Sequence, residues 1–149
     1  MTRAGAWARV GGVVAVVLLI DQLSKAVVRG DIARGEQIEV LPFLDLVYVR
    51  NDGIAFGAFG GSSLVMVLVA AAVIGIVVFF SLHATRRLAW LSTGLLLGGA
   101  LGNVFDRIRD GFVTDFFKLP HWPAFNVADI AITVGVLSLL FVVDERRDR

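Results

Sequence analysis

The chain has 149 residues, which suits one domain, and 57% of them are hydrophobic. Only 18% are charged, against about 25% in ordinary soluble chains, and the mean hydropathy is +0.80. This composition predicts a polytopic membrane protein and excludes an ordinary soluble domain. The net charge of +1 offers no basic field for nucleic acid, and the lack of cysteine removes thiol nucleophiles and cysteine metal sites.

Four apolar stretches predict four membrane-spanning helices, at approximately residues 7–28, 64–82, 88–105 and 127–143. About 20 residues are needed to cross the hydrocarbon core. The first stretch begins like a signal peptide, but no small-x-small cleavage site follows it, so we expect it to remain as a span. The third carries glycines at four-residue spacing, which favours close helix packing: Gly94, Gly98 and Gly102. The whole chain, 1–149, is therefore predicted to be a single polytopic domain.

Residues 29–60 form the one substantial segment outside the predicted spans. Residues 44–49 (LDLVYV) are rich in strand formers and alternate partly, which predicts a short strand or hairpin. Two strands alone are marginal in water, so we expect this unit to rest on the membrane surface or on the helices. Asn51-Asp52-Gly53 is strong turn chemistry, because Asn and Gly tolerate positive φ. The predicted fold is an all-α membrane protein with four transmembrane helices and a small extracytoplasmic β-containing segment between helices 1 and 2.

The distribution of charge predicts an orientation in the membrane. Four spans place both termini on one side, and the 14 Lys and Arg residues divide equally between the two faces. Those on the side of the termini sit in shorter segments close to span ends, which the positive-inside rule weights most. We therefore expect cytoplasmic termini. Nine polar residues then lie at or beyond the outer span ends: Asp21, Lys25, Asn51, Asn103, Asp106, Arg107, Asp115, Asn126 and Asp129.

Two of these polar groups lie one turn apart near the outer end of the first span. Asp21 and Lys25 are four residues apart, on one helix face. They form either an end-of-helix ion pair that snorkels to the interface or a polar support for a site at that face. Other charges are expected to be solvated in loops: Asp31, Glu36, Glu39 and Asp110.

Two aspartates suggest the chemistry of the site. Asp115 precedes Phe116-Phe117, and Asp129 is embedded in an apolar stretch. Ionisable groups beside membrane-grade segments are costly and are functional candidates by default. Prolines in the loop between them prevent a shared helix, so they converge only if this loop folds back over the top of the fourth span.

A close pair of carboxylates can hydrolyse a peptide bond, because like charges keep one of them protonated. The ionised member takes a proton from water, while the protonated member protonates the scissile carbonyl. Asn103 and Asn126 are candidate hydrogen-bond donors to orient Asp115 and Asp129. A serine mechanism is weaker, because the only serine beside a base is in Ser24-Lys25, and neighbours on a helix point in different directions.

Four motifs in order make the chain similar to the bacterial lipoprotein signal peptidases, also called signal peptidase II, a family of aspartic peptidases. The motifs are Asp21-Gln22-x-x-Lys25, Asn51-x-Gly53-x-Ala55-Phe56, Gly102-Asn103-x-x-Asp106-Arg107 with Gly111-x-Val113-x-Asp115-Phe116, and Phe125-Asn126-x-Ala128-Asp129. The resemblance covers nearly the whole length. The chain departs mildly at Thr114, where the family more often has valine.

The resemblance implies that Asp115 and Asp129 are the catalytic pair. It also implies a set of residues that support the site or the substrate: Asp21, Lys25, Asn51, Gly53, Asn103, Asp106, Arg107 and Asn126. Asp106 lies beside Arg107, so we expect a pairing or positioning role for it. Residues 54–59 are expected to form a lid or cradle with Gly53.

By the same resemblance, the substrate is a diacylglyceryl-modified prolipoprotein, cut just before its lipidated cysteine. No metal or organic cofactor is implied. We expect a monomer in the bacterial cytoplasmic membrane, with prolipoproteins and membrane lipids as its partners and no nucleic acid.

Other classes fit the sequence less well. The spacing of His83 and His121 does not match a zinc-protease motif. A small proton-coupled transporter would place its carboxylates near the bilayer midplane, in repeated and broken helices. Here the carboxylates cluster near one face, and no repeat is found. A purely structural membrane protein is the remaining alternative.

Overall fold

The computed structural model describes residues 2–53, 62–83 and 88–144. Across these ranges the chain forms four α-helices and three β-strands. In chain order they are α1 (Arg3–Asp31), β1 (Gln37–Leu41), β2 (Leu44–Asn51), α2 (Ser62–His83), α3 (Ala89–Asp110), β3 (Val113–Lys118) and α4 (Val127–Asp144). Each predicted span therefore falls on a helix. The expected lid, residues 54–59, lies outside the described residues.

Two helices, α1 and α3, extend well past the predicted spans, and their caps mark where they begin and end. The Thr2 hydroxyl accepts the Gly5 N–H at 3.2 Å, so α1 begins four residues before the predicted span. Helix α3 continues to Asp110, past the predicted end at 105, and stops at Gly111. Gly111 has a φ of 80°, and its N–H bonds to the Arg107 carbonyl at 3.0 Å. The polar C-terminal end of α3 is therefore helical.

Helix α3 packs along both α1 and α4 and is the centre of the bundle. A Cβ added at Gly98 would lie 2.8 Å from the Val17 Cβ, and one at Gly94 would lie 2.6 Å from the Val13 Cβ. On the α4 side, a Cβ at Gly99 would lie 2.4 Å from the Ala128 carbonyl oxygen. The predicted role of the spaced glycines in close packing is confirmed.

The strands form one antiparallel sheet in the order β1-β2-β3. The hairpin β1–β2 between α1 and α2 was predicted. The third strand was not: β3 follows α3, where the sequence was interpreted as a polar loop. Its partner β2 lies far back in the chain, so no local pattern indicates the pairing.

The sheet rests on the C-terminal end of α1, in agreement with the expectation that it rests on the helices. Phe116 of β3 is buried against Val28 of α1 and against Ile32, the residue that follows α1, with Leu46 and Tyr48 of β2 beside them. Burying such side chains contributes about 1.5–3 kcal/mol each. This contact fixes β3 beside the helices that carry the remaining polar residues.

The outer faces of the helices are strongly apolar. Leu23, Val27, Leu140 and Phe141 are each more than half exposed, which is typical of a surface that meets lipid or another apolar partner. By length and composition, α1 is the one helix among the described residues able to cross a membrane. Val67–His83 and Val127–Phe141 are shorter apolar helical stretches.

Candidate active site

A buried ammonium group lies at the junction of α1 and α3. Lys25 Nζ is 2.8 Å from Asp21 Oδ2 and 2.9 Å from Asp106 Oδ2. It also donates to Asn103 Oδ1 at 3.0 Å. The lysine and both aspartates are 0% exposed, so of the two alternatives for Asp21 and Lys25, the ion pair that snorkels to the interface is wrong. Asp106 pairs with this lysine and not with its neighbour Arg107.

Asp21 also holds the beginning of α4. Its Oδ1 accepts the Ala128 N–H at 2.9 Å, one of the amides that a helix leaves unpaired in its first turn. This approach depends on Gly102, because a Cβ there would lie 2.6 Å from Asp21 Oδ2. One carboxylate thus binds a lysine on its own helix and the first turn of another helix.

Asn126 and Asp129 cap α4 reciprocally. The Asn126 side-chain oxygen accepts the Asp129 N–H at 3.0 Å, and Asp129 Oδ2 accepts the Asn126 N–H at 3.1 Å. This is the geometry of a capping box, with Asn and Asp in place of the usual Ser/Thr and Glu. Asp129 lies in the first turn, where the helix dipole favours negative charge. Its second oxygen, Oδ1, accepts from Asn103 Nδ2 at 2.9 Å.

Asp115 lies in the middle of β3 and is 3% exposed. Asn126 Nδ2 donates to its Oδ1 at 2.7 Å, and Asn51 Nδ2 donates to its Oδ2 at 3.0 Å. Burial raises the pKa of Asp115 to about 6, opposed by the hydrogen bond from Asn51 and reinforced by the charge of Asp129. Asp115 is therefore a carboxyl group that holds its proton more tightly than usual.

Two amide side chains connect the buried lysine to both aspartates. Asn103 Oδ1 accepts from Lys25 Nζ and from Asn126 Nδ2, while Asn103 Nδ2 donates to Asp129. Asn126 donates to Asp115 as well. Among the described residues, every buried side-chain nitrogen and oxygen has a partner, so the network leaves no polar group to destabilise it.

The remaining predicted residues occupy different positions. Gly53, with a φ of 72°, donates its N–H to Asn51 Oδ1 at 3.0 Å; this turn leaves the Asn51 amide free to reach Asp115.

Arg107 lines an apolar cavity of about 500 Å³ between α2, α3 and α4, and Asn103 borders the same cavity. Asp110 was expected in a solvated loop; it ends α3 and pairs with Arg109 at 2.5 Å and Arg29 at 3.8 Å.

Sequence reasoning gave no role to three residues that the structure brings to the site. Gln22 Nε2 lies 2.9 Å from Asp106 Oδ1 and 3.1 Å from Asp21 Oδ2, bridging the two buried carboxylates. Arg29 donates to the Thr114 hydroxyl at 3.1 Å. The motif Asp21-Gln22-x-x-Lys25 includes Gln22 and offered a signal for it, whereas the Arg29 contact joins α1 to a strand that was not foreseen.

The arrangement has the components of acid–base hydrolysis. A carboxyl group with a raised pKa and a second carboxylate on a helix N-terminus are both hydrogen-bonded to Asn126, and the pair needs one proton to act as acid and base together. Within the described residues, no group of three or more His, Cys, Asp or Glu side chains is placed to hold a metal ion. The fold and site define a helical protein with a paired-carboxylate centre.

Comparison with known proteins identifies the family. A family model described as signal peptidase II matches residues 13–144. A lipoprotein signal peptidase of Moorella thermoacetica is 45% identical over 83% of this chain and 85% of its own length. One of Thermodesulfovibrio yellowstonii is 40% identical over 85% and 88%. A solved bacterial membrane enzyme superposes with a TM-score of 0.82 at 28% identity, covering 94% of this chain and 91% of that one.

The chain belongs to the signal peptidase II family. It is therefore a bacterial membrane protein and a signal peptidase, and the aspartic type of this family agrees with a pair of carboxyl groups at the site.

The first prediction concerns the buried lysine. Lys25→Met leaves the carboxylates of Asp21 and Asp106 buried without their cation, so we expect a loss of about 3–5 kcal/mol in stability. Thermal unfolding in detergent micelles measures it. Lys118→Met is the matched control, because Lys118 bonds only to the Trp122 carbonyl oxygen among the described residues. Equal melting temperatures for the two variants would contradict a stabilising role for Lys25.

Proposed function

We propose that this signal peptidase cleaves prolipoproteins with Asp115 and Asp129 as its catalytic pair. The observation that carries the proposal is the position of Asn126 between them. Its side chain donates to Asp115 at 2.7 Å, and its backbone N–H donates to Asp129 at 3.1 Å. One residue thus holds two carboxyl groups from a strand and a helix beside each other.

In this proposal Asp115 is the acid and Asp129 is the base. The raised pKa of Asp115, about 6, supports the first role, because Asp115 keeps its proton to a higher pH than an ordinary aspartate. The position of Asp129 at the positive end of α4, which favours negative charge, supports the second role. The two roles then follow from two different environments, a buried strand and a helix terminus.

The reaction divides between the two acids. Asp129 takes a proton from a water molecule, and the oxygen of that water attacks the scissile carbonyl carbon. Asp115 gives its proton to the carbonyl oxygen. The resulting gem-diol returns one hydroxyl proton to Asp115, and Asp129 transfers its proton to the leaving amine as the C–N bond breaks. One water is consumed, and the pair returns to its starting state.

The substrate we propose is a prolipoprotein with a diacylglyceryl group on its cysteine, cut just before that residue. The cavity of about 500 Å³ supports it: its walls are apolar, and Asn103 and Arg107 border it. Asn103 donates to Asp129 at 2.9 Å, so a chain lying in the cavity ends beside the catalytic pair. We propose that the supporting residues of the site hold the acid pair in position and bind this substrate.

We further propose four membrane spans along α1 to α4, with cytoplasmic termini and the acid pair near the outer face. The apolar, exposed outer sides of α1 and α4 support spanning, and the sheet then rests on the outer surface. The protein acts as a monomer in contact with membrane lipids. A transporter or a structural membrane protein is not favoured, because the family match covers residues 13–144.

The second prediction concerns the two acids. Asp115→Asn and Asp129→Asn keep the side-chain size but cannot exchange the catalytic proton. We expect each to lower cleavage by roughly 10²–10⁴, with the lipid-modified precursor accumulating in membranes that contain equal amounts of enzyme. The matched control is Asp31→Asn, an exposed residue at the end of α1. Cleavage by Asp115→Asn at the wild-type rate would show that the pair is misassigned.

The third prediction concerns pH. Because Asp115 acts in its protonated form, cleavage should decline as the pH rises through about 6, the pKa of this group. The Asn51 hydrogen bond stabilises the ionised form. Its removal in Asn51→Ala therefore raises the pKa of Asp115 further, and the declining limb moves to higher pH.

Rates of cleavage measured across this pH range in detergent micelles give the position of the limb. Asp52→Asn, a change at the exposed neighbour of Asn51, should leave it in place. A limb that moves to lower pH in Asn51→Ala would exclude Asp115 as the acid.

The fourth prediction concerns orientation. Reporter fusions after Arg34 and after Asp110 should report the outer side of the membrane, and fusions after Arg87 and Arg149 the cytoplasm. The expectation follows from the short Arg-rich segments of the sequence. A cytoplasmic signal after Asp110 would place the acid pair on the wrong face for this proposal.

A further inference from the structure

A contact between α1 and β3 lies immediately beside the acid pair. Arg29, one turn after the buried Lys25, donates from Nη1 to Thr114 Oγ1 at 3.1 Å. The same Nη1 lies 3.8 Å from Asp110 Oδ2 at the end of α3. We call Arg29 and Thr114 the Arg29 clasp. The side chains of Arg29 and Asp110 are only 21% and 23% exposed, so this contact is partly shielded from water.

Thr114 is buried, and both of its backbone polar groups bond to side chains of other elements. It is 0% exposed, its N–H donates to Asp106 Oδ2 at 3.2 Å, and its carbonyl accepts from Asn126 Nδ2 at 3.3 Å. The clasp adds a third contact, from the side-chain hydroxyl to Arg29. The residue that directly precedes Asp115 is therefore positioned by α1, by α3 and by the cap of α4.

The sheet holds this part of β3 from one side only. The strand lies at the edge of the sheet, where Arg50 pairs with Thr114 and Val49 with Asp115, and the register with β2 becomes irregular just beyond, between Leu46 and Val49. Both backbone groups of Thr114 bond to side chains outside the sheet. Contacts from the helices and their caps therefore hold the other side of Thr114.

We infer that Arg29 and Thr114 are positioning residues for the reaction, which fix Asp115 at its distance from Asp129. The inference rests on the proposed function. Asp129 lies in the first turn of α4, whereas Asp115 lies on a separate element, β3. The clasp ties this strand to α1, and α1 holds the first turn of α4 through Asp21. The positions of Asp115 and Asp129 are therefore both set by contacts with α1.

The test uses the isosteric substitution Thr114→Val, together with Arg29→Gln and the double variant. Each removes the clasp and leaves the identities of Asp115 and Asp129 unchanged. We expect each single variant to lower kcat about tenfold, since a small misplacement of a catalytic group is costly, with KM unchanged. The double variant should be no slower than either single variant, because the same contact is lost. Thr114→Ser keeps the hydroxyl and should restore most of kcat.

The measurement is cleavage of a diacylglyceryl-modified prolipoprotein in mixed micelles, normalised to folded enzyme by thermal unfolding. Arg34→Gln is the matched control, because Arg34 is an exposed arginine with no ion pair in the described part of the chain. Asp115→Asn is included to test the proposed function separately.

The outcomes distinguish the positioning role of the Arg29 clasp from the proposed function. An inactive Asp115→Asn beside a Thr114→Val variant with wild-type kcat overturns the clasp alone. A Thr114→Ser variant as slow as Thr114→Val, or a loss confined to melting temperature, overturns it as well. A fully active Asp115→Asn overturns the proposed function on which the clasp depends.

Discussion

The structure depends on one buried ammonium group. Lys25 Nζ binds two carboxylates and an amide oxygen at 2.8–3.0 Å, and none of the charged partners is exposed. Removing charges from water costs several kcal/mol per ion, which close pairing and hydrogen bonds must offset. The pairing therefore tolerates few other arrangements of α1 and α3. Asp21 extends the constraint to α4, and Asp106 extends it to β3 through the Thr114 N–H.

Asparagine is the residue that converts this scaffold into an acid pair. A carboxylate only accepts hydrogen bonds, whereas an amide both donates and accepts. Asn103 accepts from the lysine and donates to Asp129, and Asn126 accepts the Asp129 N–H and donates to Asp115. The amides hold the two aspartates in one hydrogen-bonded network. Replacing either by aspartate would remove the donors and add repulsion.

The sequence was sufficient for the parts of this structure that rest on local pattern. Apolar runs indicated all four helices, LDLVYV indicated the hairpin, and the spaced glycines indicated the close approach of α3. The strand β3 was missed because its pairing with β2 is long-range and its Phe116-Phe117 pair interrupts alternation.

The sequence also did not reveal that Asp21 and Lys25 are fully buried. An i,i+4 pair of Asp21 and Lys25 is common at exposed helix ends, and only the tertiary structure reveals Asp106 as a third charge. The aspartates themselves were found by their unusual surroundings and by the resemblance, while Thr114 and Gln22 carry no chemical signature of their own. A sequence reveals least about residues whose role is to position other side chains.

The capping of α4 by Asp21 has a consequence for biosynthesis. The two residues that it joins, Asp21 and Ala128, lie at opposite ends of the chain. The ribosome releases the first long before the second, and α4 must be made and packed before Asp129 can lie beside Asp115. On the proposed function, a nascent chain that stops before α4 lacks one of the two acids and has no hydrolytic centre.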